Sequence, residues 1–161
     1  MEVWLLRHAA AEDRADSGRD ADRALTEEGT RRAKAVARGL AALEPDIRLV
    51  LTSPYRRARE TAEPAARALG LVRTLRESRA LEPGRDPDEI LEEVRAEQAA
   101  GVLLVGHEPH LGALLGRLVA GRPLLTLPLK KAAAARVDWD GTGPGELRAL
   151  LPPRVLERLG S

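Results

Sequence analysis

Three short apolar runs, Val3–Leu6, Ile47–Leu51 and Val102–Val105, do most to limit the folds open to this chain. Each is too short for a helix and too continuously apolar for a strand with one wet face, so each reads as a strand buried on both sides. Between them apolar residues recur at helical spacing: Ala33, Val36, Ala37, Leu40 and Leu43 in one segment, Leu111, Leu114, Leu115, Leu118 and Val119 in another. Strands alternating with helices form a parallel sheet covered on both faces. The expected architecture is α/β, a three-layer α/β/α sandwich around a mostly parallel central sheet. Its 161 residues fit a single domain spanning 1–161.

Local signals set the boundaries. Thr26 offers a hydroxyl to cap a helix, Glu27 and Glu28 suit the positive end of its dipole, and Pro45 lies just beyond its end. Ser53 and Pro54 predict the start of a second helix, running to about Leu69 before Gly70, with a kink or an early end at Pro64. Leu71–Leu75 reads as a third strand, Glu77–Pro87 as a loop and Asp88–Ala100 as a helix. Ala132–Trp139 and Glu146–Leu151 read as strands around the turn residues Asp140–Gly145, before a short closing helix. Ala9–Ala24 is polar and without period, and is expected to be a loop.

Composition removes several function classes. The 26 basic and 25 acidic residues nearly cancel, which leaves no global field to gather nucleic acid or an anionic membrane. Aromatic residues make up 2% of the chain, too few to stack on bases. No apolar run approaches the ~20 residues of a membrane span. The early Arg7 and His8 are unlike a secretory signal, so the expected location is the cytoplasm. Without cysteine there is no disulfide, thiol nucleophile or thiolate metal site.

The residues that close the three runs share the C-terminal edge of the expected sheet, where open α/β sheets bind ligands. Arg7-His8 follows the first run, Gly106-His107 the third, and Ser53-Pro54 the second, with Arg56, Arg57 and Arg59 just beyond. Guanidiniums match phosphate oxygens in pairs and stay charged. An imidazole among them is disfavoured in its charged form and keeps a lone pair for attack on phosphorus. A second imidazole supplies an N–H to the equatorial oxygens. Phosphoryl transfer is chemically complete with these parts and needs no metal. A single histidine at a strand end is usually structural, but two of them with Arg7 and a Ser-Pro-x-x-Arg run weigh toward a site. His110 stands three residues after His107, yet no carboxylate is placed to complete a metal site, so it reads as a rim or helix-start residue. Tyr55 and the Lys130-Lys131 pair are candidates for the mouth of the crevice.

In order and spacing these residues resemble the histidine phosphatase (phosphoglycerate-mutase-like) superfamily. Leu6-Arg7-His8-Ala9 is similar to its Arg-His-Gly signature, and Leu25-Thr26-x-x-Gly29-x-x-x-Ala33 to its first-helix motif. Ser53-Pro54-x-x-Arg57-Ala58-x-x-Thr61 resembles its second-arginine motif, and Val105-Gly106-His107-x-Pro109 its second-histidine motif. The resemblance implies His8 as the phosphorylated nucleophile and Arg7, Arg57 and His107 as the phosphate pocket. It is strongest to the SixA-like branch of phosphohistidine phosphatases, which lack the long insertion that larger members fold over their substrates. An open pocket suits a phosphorylated side chain presented on a protein.

Two positions depart from the pattern. Ala9 stands where glycine is usual, which is tolerable if φ there is negative. The family's general acid, a glutamate shortly after the third strand, aligns with Ala80, between Glu77 and Glu82; Glu82 is the acid that can be offered. A phosphorylated imidazole can carry its own leaving proton, so a weak acid is consistent with phosphohistidine. The expectation is a phosphatase without metal or cofactor, acting through phospho-His8 on protein phosphohistidine. A small phosphomonoester is the alternative substrate. A phosphate- or phosphoprotein-binding module without turnover is the alternative of another class.

Overall fold

Alternate residues of β1 (Glu2–Arg7) divide between two cores, which is why the run is continuously apolar. Val3 and Leu5 join one core; Trp4 and Leu6 join the other. Strands β2 (Leu49–Thr52) and β4 (Gly101–Gly106) divide in the same way. In this computed structural model, which describes residues 1–122 and 125–161, they belong to a six-stranded sheet. Its order is β3-β2-β4-β1-β5-β6, with β3 at Leu75–Glu77, β5 at Ala134–Asp138 and β6 at Glu146–Leu151. The first four are parallel; β5 and β6 run antiparallel at one edge.

Helices cover both faces, giving the expected three layers. Helix α3 (Pro87–Glu97) and α4 (His110–Ala120) bury Ile90, Leu91, Leu111, Leu114 and Leu115 on the Val3 side. On the Trp4 side lie α1 (Glu27–Ala42), α2 (Arg56–Ala68) and α5 (Pro153–Leu159). Helix α2 meets the sheet through Ala58, Ala62, Ala65 and Ala66, whose small side chains let it lie close. That proximity carries Arg57 to the sheet edge.

Among the boundaries that differ from expectation, three have a plain physical reason. The stretch read as a third strand over Leu71–Leu75 instead makes a 3-10 turn at Val72–Thr74, and pairing with β2 begins only at Leu75. Pro64 does not end α2, which continues to Ala68; the four alanines packed on the sheet outweigh the roughly 3 kcal/mol that an interior proline costs. Helix α3 ends at Glu97, because Gln98 takes a left-handed conformation with φ 49°.

Candidate active site

Parallel pairing brings the ends of β1, β2 and β4 into line. Arg7 pairs with Gly106, and Leu6 and Thr52 both pair with Val105. Ladder bonding continues one residue further: His8 N–H donates to Gly106 O at 3.0 Å and Ser53 N–H to Val105 O at 2.9 Å. His8 and His107 therefore leave the sheet as neighbours, with ring centroids 5.1 Å apart.

His8 is 6% exposed, and its Nδ1 lies 2.7 Å from the Ala9 carbonyl oxygen. A carbonyl only accepts, so Nδ1 carries the proton and Nε2 keeps the lone pair. Arg57 Nε donates to that lone pair at 3.4 Å. Burial pushes the His8 pKa down to about 4; the Ala9 carbonyl opposes this, and Arg57, Arg7 and Lys131 reinforce it. The ring is neutral at pH 7.

His107 is 2% exposed, with Nε2 2.8 Å from Ser53 Oγ. Ser53 Oγ also accepts the Tyr55 N–H at 3.3 Å; with its own proton given to Nε2, Nδ1 carries the hydrogen. That Nδ1 has no partner among the described residues. Burial first, then His8 and Arg57, push the His107 pKa down to about 3, with Asp20 opposing. Tyr55 stands edge-on to this ring at 5.2 Å, and the Arg57 guanidinium lies 5.1 Å above the Tyr55 ring. Ser53 and Tyr55 are thus part of the cluster, and Ser53 does not cap α2, whose first residue is Arg56.

The arginines are held from behind. Arg7 Nη1 donates to Leu129 O at 2.8 Å, and its Nε is buried with no partner among the described residues. Arg57, 5% exposed, gives Nη1 to the Asp20 carbonyl at 2.8 Å and Nη2 to the Asp20 carboxylate at 3.0 Å. Bonds to Arg23 and Arg57 hold the Asp20 carboxyl below its usual range, so it is an anion resting on a guanidinium. Its side chain is 54% exposed.

Two motif residues now have physical reasons. Thr61 Oγ1 accepts the Ala9 N–H at 3.1 Å and donates to the Arg57 carbonyl at 2.8 Å, tying the end of β1 to α2. At Gly29 a Cβ would stand 2.0 Å from the Ala10 carbonyl oxygen, so only glycine lets α1 begin beneath the chain that follows His8. Ala9 has no positive φ, which accounts for alanine in place of glycine.

Other candidates are held by partners of their own. The Glu82 carboxylate accepts from Arg79 Nε at 3.2 Å, and the preceding carbonyl, Leu81 O, lies near Gly106. No hydrogen bond among the described residues links Glu82 to the histidine pair. His110 begins α4, buried and facing Asp86 and Glu89. Arg56 and Arg59 pair with Glu60 and Glu77 on exposed surface. Asp20 had no spacing to mark it in the polar stretch. It reaches Arg57 because the Ala11–Leu25 bridge and the bond from Glu12 N–H to Ala24 O, 2.9 Å, fold the loop back over the sheet edge.

Two buried neutral histidines make the fold acid-sensitive. Their proton affinity is lower folded than unfolded, so the unfolded chain binds more protons between the ordinary histidine pKa and about 3. The stabilising contribution is whole above about pH 6.5 and is lost as pH falls through that window. Urea midpoints should therefore drop less between pH 7 and pH 4 in His107→Gln than in the wild type. Parallel curves for the two proteins would refute this.

Comparison with known proteins shows the family. Residues 3–82 match the model of the histidine phosphatase superfamily, branch 1. The chain is 30% identical over 158 residues to the phosphohistidine phosphatase SixA of Escherichia coli K12, covering 95% of this chain and 94% of that one. A solved structure of the protein histidine phosphatase SixA with tungstate superposes with a TM-score of 0.86 at 30% identity, over 97% of this chain and 99% of the other. The fold also recurs in a mycobacterial glucosyl-3-phosphoglycerate phosphatase, TM-score 0.72 at 21% identity, over 94% and 99% of the two chains. Likeness that runs nearly end to end, in sequence as well as in fold, makes this chain a member of the histidine phosphatase superfamily, close to SixA.

Proposed function

We propose that this protein is a phosphatase working through a phospho-His8 intermediate, with protein phosphohistidine as its substrate class. The observation that carries the mechanism is the His8 tautomer: Nδ1 is bound to the Ala9 carbonyl, which leaves the Nε2 lone pair beside Arg57. A phosphoryl group takes the place of the Asp20 carboxylate on Arg57 and is gripped by Arg7 from the other side. Nε2 of His8 attacks phosphorus, the bond from phosphorus to the leaving group breaks, and Nδ1–H of His107 donates to an equatorial oxygen. Water then attacks phospho-His8; the P–N bond breaks, the electron pair returns to Nε2, and inorganic phosphate leaves with the water oxygen. Arg7, Arg57 and His107 offset charge on the oxygens, each such donor being worth about 10²–10³ in rate.

Support for phosphohistidine is of two kinds. A relative that covers 95% of this chain is itself a phosphohistidine phosphatase. In addition, among the described residues no protonated acid is hydrogen-bonded into the cluster: Glu82 is held by Arg79, and Asp20, which rests on Arg57, is ionised. An imidazole protonated on its distal nitrogen leaves without an acid, whereas an alkoxide needs one. Glu82 is required only for ester substrates on this reading. Residues 78–86 are all that separate β3 from α3, so the connection there carries no long insertion.

The test offers a phosphohistidine peptide and an aryl phosphate side by side, in EDTA. The expected result is clearance of both, with the higher kcat/KM on the peptide. Turnover of the aryl phosphate alone would transfer the assignment to small phosphomonoesters. Oxyanion binding without turnover of either would make the chain a phosphate-binding module.

A further inference from the structure

Arg7 reaches the site from β1, but its guanidinium is aimed by a part of the chain far from it in sequence. Its Nη1 donates to Leu129 O, and the N–H of the same residue, Leu129, donates to Glu108 Oε1 at 2.9 Å. One peptide segment is thus gripped between a guanidinium and a carboxylate. We propose that Glu108 is a positioning residue for Arg7, holding the Leu127–Leu129 strap so that the guanidinium presents its unpartnered Nε to the phosphoryl group. The inference rests on the phosphoryl site proposed above.

The strap is seated closely on α4. Leu127 N–H donates to Gly112 O at 3.0 Å. A Cβ on Gly112 would stand 2.7 Å from Glu108 Oε2 and 3.1 Å from Pro128 Cα, so glycine there makes room for the carboxylate and the strap together. A Cβ on Gly116 would strike Leu125 O at 1.7 Å, so the next turn of the helix needs the same absence. Beyond Leu129 the chain returns to β1, where Ala132 N–H donates to Arg7 O at 3.1 Å and Arg7 N–H donates to Ala133 O at 3.1 Å. Glu108 also acts on Arg7 through charge. Burial lowers the proton affinity of the guanidinium, and the Glu108 carboxylate opposes that. Glu108 follows His107 directly, so one turn of chain supplies a pocket imidazole and the support of a pocket guanidinium.

Isothermal titration with vanadate reads the pocket without turnover, and kcat/KM on an aryl phosphate reads the chemistry. Glu108→Ala should weaken vanadate binding and lower kcat/KM about 10-fold, the scale of a lost hydrogen bond to a charged group. Glu108→Gln keeps an acceptor for the Leu129 N–H and should lie within about 3-fold of wild type. In an Arg7→Ala background, Glu108→Ala should cost nothing more, because the residue it serves is gone. A merely structural role predicts the opposite: equal loss with and without Arg7, tracking a fall in Tm. That pattern, or wild-type vanadate affinity in Glu108→Ala, overturns the inference; should Glu108→Ala not fold, the cycle is run with Glu108→Leu and Glu108→Gln. Failure of wild type to bind vanadate overturns both the inference and the phosphoryl site. Wild-type binding with an additive cycle overturns the inference alone.

Discussion

His8→Ala is expected to lose turnover by about 10⁴-fold or more on both substrates, with no acid-labile phosphate appearing on the chain. The size follows from the geometry. His8 Nε2 is the lone pair that Arg57 and the Ala9 carbonyl jointly prepare, and an alanine leaves nothing to form the covalent intermediate. His107 cannot stand in, because its Nε2 is engaged by Ser53. Rapid-quench labelling with a 32P-phosphohistidine peptide checks this: wild type should carry label on His8, and the variant none. The fold should survive, since removing a buried ring of depressed pKa also removes an acid-sensitive group. Turnover near wild type in a folded His8→Ala would end the covalent mechanism.

Arg57→Lys should cost about 10²- to 10³-fold in kcat/KM although the charge is kept. Arg57 faces three ways at once, with Nε on His8, Nη1 on the Asp20 carbonyl and Nη2 on the Asp20 carboxylate. An ammonium has one centre and cannot hold the nucleophile and two phosphoryl oxygens in a fixed plane. Loss of the Nε contact should appear in kcat, and loss of the fork in KM and in vanadate affinity. Steady-state kinetics on the aryl phosphate, with vanadate inhibition alongside, separate the two. A variant within about threefold of wild type would mean that charge alone suffices and that the planar fork has no role.

Much of this architecture can be read from the chain itself. Val3–Leu6 and Val102–Val105 are apolar without alternation because each strand feeds two cores, and a strand of that kind belongs inside a parallel sheet. With parallel strands in register, residues that follow them come out together, so the sequence pattern alone assigns His8, Ser53 and His107 to one edge. Leu71–Leu75 was less legible, because an edge strand pairs on one side only and three residues sufficed. At Pro64 the local penalty is visible in the sequence, whereas the alanine packing that offsets it is not.

Sequence by itself determined the layer order, the strand-end placement of Arg7, His8 and His107, and the arrival of Arg57 on the first turn of a helix, because strand burial and helical period are local and repetitive. Only the tertiary structure decided which atoms of those side chains are occupied. The His8 tautomer depends on where the Ala9 carbonyl points, and the His107 tautomer on a serine 54 residues away. Asp20 meets Arg57 across 37 residues, and Leu129 carries Glu108 to Arg7 across 122. Contacts of that kind follow from how loops close over a finished sheet, and a polar loop has no periodicity from which to foresee them.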